Sequence, residues 1–134
     1  MNETTVRGGC HCGKVAFEVK VQNTVTVQHC NCSMCSLLDY IHLIVPAERF
    51  CLISGEEFLT EYAFNTGTAR HLFCSTCGIK SFYIPRSNPD GFSINLRCLE
   101  LPPGITVVEG QFDGKNWEQH AGDLQHLSKA DTQV

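Results

Sequence analysis

Seven of the nine cysteines fall into three short clusters, a spacing typical of metal sites. The clusters are Cys10-His11-Cys12, Cys30-Asn31-Cys32-Ser33-Met34-Cys35 and Cys74-Ser75-Thr76-Cys77. Thiolates this close in sequence can converge on one tetrahedral Zn²⁺ at ~2.3 Å from each sulfur, whereas such neighbours rarely form an unstrained disulfide. Seven ligands cannot fill two four-coordinate sites. The clusters therefore predict one closed Cys₄ site and one Cys₃ site with an open position for substrate or water.

Two other interpretations of the cysteines are a disulfide framework and a redox pair. Disulfides are disfavoured because the cysteine count is odd and residues 1–9 contain no apolar segment of a secretory signal. A redox role for Cys74-Ser75-Thr76-Cys77 would suit a dithiol that follows a βαβ pattern, and no such pattern surrounds it. Zinc is the preferred interpretation, and iron is the substitute that a Cys₄ site could accept.

Length and charge limit the class of protein. The chain of 134 residues suits one domain, which we predict over residues 1–127, followed by a polar tail over 128–134. The net charge of −4 offers little attraction for phosphates, so no nucleic-acid partner is expected. No apolar run approaches the ~20 residues that span a bilayer, so we expect a cytoplasmic, reducing location and no membrane partner. The oligomeric state is left open.

Apolar residues recur with a period of two far more often than with a helical period. Val15, Phe17, Val19 and Val21 alternate with polar residues, which is typical of a strand with one buried face. Further strands are predicted over residues 25–29, 41–45, 50–54, 59–64, 70–73, 80–84, 92–96 and 105–110. A turn is predicted over 33–38, and a short C-terminal helix anchored by Trp117 over 116–127. The sequence thus predicts a mainly β, antiparallel domain.

Glycines beside the first and third clusters suggest how the clusters combine. Gly9 and Gly13 flank the first cluster and Gly78 follows the third, and glycine permits the tight turns that aim two sulfurs at one ion. We therefore assign the glycine-flanked pairs to the closed site, which would stabilise the fold by linking distant segments: Cys10, Cys12, Cys74 and Cys77. The middle triple, Cys30, Cys32 and Cys35, is then the site with the open position.

With these motifs the chain resembles the glutathione-dependent formaldehyde-activating enzyme family. The likeness is carried by Gly9-Cys10-His11-Cys12-Gly13, Cys30-Asn31-Cys32-Ser33-Met34-Cys35, Phe73-Cys74-Ser75-Thr76-Cys77-Gly78 and Asn95-Leu96-Arg97-Cys98-Leu99. The branch that includes centromere protein V is the most similar, through the segments 44–50, 62–66 and 81–89. Three clusters in this order and spacing are a specific signal, and the likeness covers about residues 7–120.

The resemblance implies both a fold and a reaction. The implied fold has several short, coiled antiparallel sheets around zinc, similar to a Rab-GTPase exchange factor of the same superfamily. Two Zn²⁺ ions are implied, a structural one on the first and third clusters and a catalytic one on Cys30, Cys32 and Cys35. The implied activity is that of a carbon–sulfur lyase, which reversibly adds the glutathione thiol to formaldehyde to give S-hydroxymethylglutathione. The alternative is a non-catalytic, zinc-stabilised protein-interaction module, as in the centromere protein V branch.

Charge balance at the open site predicts a nearby cation. Zn²⁺ with three thiolates carries a net charge of −1, and a thiolate from glutathione would make it −2. The zinc would act as template and thiol activator, because coordination deprotonates a thiol. The candidate cations are Arg97, Lys80, His29 and Arg70, and Arg97 is assigned to the bound thiol. The physiological thiol and electrophile are left open.

The other cysteines and histidines are assigned mostly to structure. Cys51 and Cys98 are predicted to be core residues, and whether either completes a metal site is left open. His29 could instead donate to a ligand beside it, and His11 is expected to point outward. The remaining histidines are predicted at the surface: His42, His71, His120 and His126.

Overall fold

The computed structural model describes residues 3–64, 67, 69–113 and 122–128. In that part of the chain the strands are β1 Thr4–Gly9, β2 Ala16–Val21, β3 Thr24–Cys30, β4 Ile41–Pro46, β5 Phe50–Ser54, β6 Leu59–Tyr62, β7 His71–Cys74, β8 Phe82–Tyr83, β9 Gly91–Asn95 and β10 Thr106–Phe112. The one α-helix described is α1, Ser33–Leu38. Short 3₁₀ helices are formed by Ala47–Arg49, Glu56–Phe58, Leu96–Cys98 and Gln125–Ser128.

The strands form three small sheets. One has the order β1-β2-β5, the second β10-β3-β4-β9-β8, and the third pairs β6 with β7. The mainly β prediction is confirmed. All pairs are antiparallel except β10 with β3, which run parallel from Thr106 beside Thr24 to Phe112 beside Cys30. A parallel pair requires a long connection, and here most of the domain lies between the two strands.

Every strand predicted from the sequence is present, and β1 is an additional one. Its sequence, TTVRGG, buries only Val6, so it lacks the apolar alternation that reveals a strand. β1 is instead recruited by pairing, with Val6 opposite Val19 of β2. Gly8 of β1 lies against the Phe17 ring, where a Cβ atom would be 2.7 Å from the ring carbons. A side chain at this position would therefore displace the centre of the core.

The core is built on the buried face of β2. Phe17 and Val19 are fully buried, and the Phe17 ring lies 5.2 Å from the Phe50 ring and 5.6 Å from the Phe82 ring. Full burial of such a side chain contributes about 1.5–3 kcal/mol to stability. These rings come from three separate strands, so they join two of the sheets into one unit.

Helix α1 and its end determine where the middle cysteines lie. Cys32 caps the helix, and its Sγ accepts a hydrogen bond from the Cys35 N–H at 3.3 Å. The helix ends at Asp39, which has a φ of 52°, a conformation that Asp and Asn tolerate better than most residues. Arg97 holds this turn by donating to the Asp39 backbone oxygen at 3.2 Å and to its carboxylate at 2.8 Å. The sharp turn brings β4 back beside Cys35.

The C-terminal helix predicted over 116–127 lies partly outside the described residues. Trp117 and His120 are among the residues that are not described. Within the described part, Leu124 and Leu127 are buried against Ile44 and Phe112. The predicted limits of the domain at 1–127 and of the tail stay predictions. No helix in the described ranges combines the length and apolarity needed to cross a membrane.

Candidate metal centres

The structure brings the first and third clusters together into a group that we call the first site: Cys10, Cys12, Cys74 and Cys77. Their four Sγ atoms all lie within 4.8 Å of one another. The Cys10–Cys12 sulfurs are 3.6 Å apart and the Cys12–Cys74 sulfurs 3.7 Å apart. Two sulfurs bound at ~2.3 Å to one ion in tetrahedral geometry would be about 3.8 Å apart. The first site therefore fits a tetrahedral thiophilic metal ion.

Two tight turns aim these sulfurs and stabilise their thiolates. The first closes at Gly13 and the second at Gly78, both with positive φ, at 84° and 78°. The Val15 N–H donates to Cys10 Sγ at 3.3 Å, and the Thr76 N–H donates to Cys74 Sγ at 3.4 Å. The backbone N–H of Cys77 lowers the pKa of the Cys74 thiol. N–H donors of this kind favour the anionic form that binds metal.

The second site is the middle triple: Cys30 at the end of β3, Cys32 at the helix cap and Cys35 in α1. Cys32 hydrogen-bonds both other thiols, and these bonds, first that from Cys30, lower its pKa to about 2. In return, Cys30 and Cys32 raise the pKa of Cys35. Three thiols in contact cannot all ionise alone, because each thiolate opposes the next. A divalent cation would remove this conflict, so the second site also fits a metal ion.

His42, which we predicted at the surface, is buried beside the second site. Only 4 % of its surface is exposed, and its Nε2 lies 3.2 Å from Cys35 Sγ. One ring nitrogen lies within 4.8 Å of the Cys30 and Cys35 sulfurs. The prediction was wrong because every residue of β4, from Ile41 to Pro46, is buried. The unbroken apolar run around His42 was the signal that could have revealed this.

The contacts of the second ring nitrogen of His42, Nδ1, indicate how the ring acts on Cys35. Its Nδ1 lies 2.9 Å from Ser93 Oγ and 3.3 Å from the Tyr83 hydroxyl. Burial lowers the pKa of His42 to about 3, so the ring is neutral and carries one proton. When the nearer hydroxyl, that of Ser93, donates to the single lone pair of Nδ1, the proton is on Nε2, which donates to the Cys35 sulfur. His42 then orients and stabilises a ligand without occupying the fourth metal position.

Replacing His42 with alanine is expected to weaken metal binding at the second site by about 10- to 100-fold, as for other groups that support a ligand. The first site should keep its affinity because His42 contacts none of its cysteines in the described residues. Competition with a chromophoric chelator measures both affinities. His126→Ala, at an exposed position, is the matched control. Unchanged affinity at the second site would contradict the assigned role.

A buried lysine lies close to the second site. Lys80 is 5 % exposed, and its Nζ is 2.6 Å from Nδ1 of His71, which is itself buried and not at the surface as predicted. The Nζ also lies 3.8 Å from the centre of the Tyr83 ring and 5.1 Å from that of Tyr40. Burial lowers the pKa of Lys80 to about 8, while the negative charge of the three cysteines of the second site opposes this effect. The Tyr83 hydroxyl is 3.3 Å from Nδ1 of His42, which contacts Cys35, so the Tyr83 and His42 rings lie between the Lys80 ammonium group and the second site.

The other candidate cations have carboxylate partners. Arg97 pairs with Asp39 at 2.8 Å, Arg70 with Glu61 at 2.7 Å and His29 with Glu109 at 2.6 Å. The Arg97 and Arg70 side chains are more than half exposed. In the structure the Arg97 side chain hydrogen-bonds Asp39 at the end of α1. A contact between Arg97 and a bound thiol stays a prediction.

In the described residues, three cysteines lie outside the two groups of ligand atoms within 4.8 Å of one another: Cys32, Cys51 and Cys98. Cys32 still belongs to the second site, because it hydrogen-bonds the Cys30 and Cys35 thiols. Cys51 is exposed, so its predicted place in the core was wrong. It alternates with Phe50 and Leu52, which pack on the core, and therefore faces the opposite side of β5. Cys98 is half-buried, and burial, followed by the nearby Cys10 and Cys77, raises its pKa to about 11. Cys98 is thus adjacent to the first site. His11 and His126 are exposed, as predicted.

Small sheets joined by a four-sulfur group, with a three-cysteine group beside them, define a class of metal-binding β domain. The sequence model of the family described as glutathione-dependent formaldehyde-activating enzyme matches residues 5–113. The chain belongs to this family, as its motifs predicted. A crystal structure of a Rhodobacter sphaeroides protein is similar to it, with 34% identity and a TM-score of 0.64, over 76% of this chain and 98% of that one. The closer likeness to the centromere protein V branch stays a prediction.

Proposed function

We propose that the protein is a zinc-dependent enzyme that activates a small thiol, such as glutathione, for reversible addition to formaldehyde or a related small electrophile. Family membership supports this proposal. The observation that carries it is the unequal number of thiols at the two sites. Four cysteines meet at the first site, whereas at the second Cys30 and Cys35 group with His42, and Cys32 hydrogen-bonds the other two thiols. Neither Cys51 nor Cys98 belongs to either group. Three thiolates leave one position of a four-coordinate ion at the second site for an external thiol.

We assign a structural Zn²⁺ to the first site and a catalytic Zn²⁺ to the second. The all-sulfur set at the first site satisfies four-coordinate zinc completely. At the second site, bound zinc would supply a Lewis acid that keeps a thiol deprotonated near neutral pH. Cys30, Cys32 and Cys35 would hold the ion, and His42 would orient the Cys35 sulfur through its Nε2–H.

The reaction adds RSH to CH₂O and gives RSCH₂OH. The thiol loses its proton, its sulfur forms a bond to the carbonyl carbon, and the electron pair of the C=O π bond moves to oxygen, which takes up a proton. The buried Tyr40 and Tyr83 rings pack against His42, which contacts Cys35, and so form an apolar wall behind this part of the second site. Exclusion of water strengthens the attraction between the thiolates and their cationic neighbours.

The test is direct binding of a thiol to the second site. Protein in which Co²⁺ replaces zinc should gain thiolate-to-metal charge-transfer absorption when glutathione is added, because Co²⁺ reports its sulfur ligands. Cys35→Ser, which is expected to lose the ion of the second site, should lose this response, and Cys51→Ser should retain it. No spectral change with glutathione, cysteine or dithiothreitol at millimolar concentration would overturn the proposal.

The non-catalytic interaction module is the second candidate, and one observation favours it. A ring nitrogen of His42 lies close enough to Cys30 and Cys35 to share a metal ion with them. If this nitrogen were the fourth ligand, the second site would be closed like the first. In that case Co²⁺ protein would show a four-coordinate spectrum that does not respond to added thiol.

A further inference from the structure

We propose that Lys80 determines the class of ligand that the second site accepts, by balancing its charge so that the fourth position takes an anionic donor, a thiolate, in preference to a neutral one. This inference rests on the proposed function and names a specificity-determining residue for it. In the described residues, the contacts of the Lys80 ammonium group are with His71, Tyr40 and Tyr83 and not with the first site.

The first support is the unusual environment of the Lys80 ammonium group. In the part of the chain that the structure describes, no carboxylate lies within ion-pair distance of its Nζ. Its hydrogen-bond partner is His71, and burial lowers the pKa of His71 to about 4, so this ring is neutral. A buried cation without an anionic partner is strongly unfavourable. The negative charge that offsets this cost must come from the nearby cysteines.

The second support is that the ammonium group is fixed in place. The Tyr83 ring, 3.8 Å away, and the Tyr40 ring, 5.1 Å away, give it a cation–π environment. The rings are themselves anchored, because the Tyr40 hydroxyl donates to the Ser93 backbone oxygen at 2.7 Å and the His71 ring stacks on Tyr83 at 4.9 Å. Lys80 cannot swing into solvent as an exposed lysine would.

The third support is the charge count at the second site. Three thiolates with a divalent ion carry −1, and a thiolate in the fourth position would make −2 in a largely buried place. With Lys80 included, the two totals become 0 and −1. The Lys80 Nζ is 3.8 Å from the centre of the Tyr83 ring, and the Tyr83 hydroxyl is 3.3 Å from Nδ1 of His42, whose Nε2 is 3.2 Å from Cys35 Sγ. Two buried rings thus separate the ammonium group from the second site, and in so apolar a setting its charge favours the anionic ligand. A neutral donor gains nothing comparable.

The experiment compares an anionic and a neutral fourth ligand on the same Co²⁺-loaded protein. 2-Mercaptoethanol, which binds as a thiolate and carries no other charge, and imidazole are titrated against the visible spectrum. Lys80→Met should weaken 2-mercaptoethanol binding by about tenfold or more and leave imidazole binding unchanged. Lys80→Arg should restore most of the thiol affinity, and Lys20→Met, at an exposed position in β2, should have no effect.

The outcomes separate this inference from the proposed function. If Lys80→Met holds both metal ions and binds 2-mercaptoethanol as tightly as the wild type, the inference is overturned and the proposed function stands. If the wild type binds no thiol, both are overturned. Should Lys80→Met fail to fold, wild-type protein decides the question, because azide should then bind at lower concentration than imidazole. The reverse order would overturn the inference.

Discussion

Replacing Cys74 with serine is expected to unfold or aggregate the protein, whereas replacing Cys32 with serine should remove one metal ion and leave the fold intact. Cys74 is buried, and its sulfur meets that of Cys12 from 62 residues away. The metal would thus clamp β1 to the hairpin of β6 and β7, and metal binding in structural zinc sites contributes apparent free energies of ~10–16 kcal/mol. The second site closes only a short loop between β3 and α1.

The two variants are compared by far-ultraviolet circular dichroism, urea unfolding and elemental analysis of metal content. Cys51→Ser is the matched control, because Cys51 is exposed and lies outside both metal groups. Two zinc ions per wild-type chain and one in Cys32→Ser are expected. Equal loss of stability in Cys74→Ser and Cys32→Ser would contradict the unequal roles of the two sites, as would one zinc per metal-replete wild-type chain.

Wild-type protein is expected to accelerate the exchange of formaldehyde with its glutathione adduct, and Cys35→Ser is expected to return the rate to the uncatalysed background. Removal of Cys35 takes away a ligand and also the acceptor of the His42 hydrogen bond, so the second site would lose both its ion and its order. Exchange spectroscopy by NMR measures the rate directly while the spontaneous reaction proceeds.

The control for this measurement is Cys51→Ser at the same protein concentration, which should match the wild type. Other cellular thiols and small aldehydes are tested in the same way. The second site is expected to recognise the thiolate group itself more strongly than the rest of the thiol compound. Equal rates for wild type and Cys35→Ser with every thiol would end the enzyme proposal and favour the interaction module.

Local sequence determined most of the secondary structure and showed which cysteines are close enough in the chain to act as ligand pairs. In β2, apolar and polar side chains alternate because successive residues of a strand point to opposite faces and one face is buried. This pattern can be read from neighbouring residues alone. The turns at Gly13 and Gly78 are also local, because a positive φ is a requirement that glycine meets within a few residues. Cys10 with Cys12 and Cys74 with Cys77 could therefore be identified as ligand pairs before the fold was known.

The tertiary structure alone decided which residues surround the second site. His42 contacts Cys35 because β4 turns back at Asp39. Lys80 lies behind His42 because its ammonium group packs against the Tyr40 and Tyr83 rings. The sequence offered Arg97, Lys80, His29 and Arg70 as candidate cations by position and assigned Arg97 to the bound thiol. In the structure Arg97 pairs with Asp39 at the end of α1, and its assignment stays a prediction. Burial and ion pairing depend on contacts between distant segments, so packing and not residue spacing distinguishes the buried Lys80 from the exposed Arg97, which has a carboxylate partner.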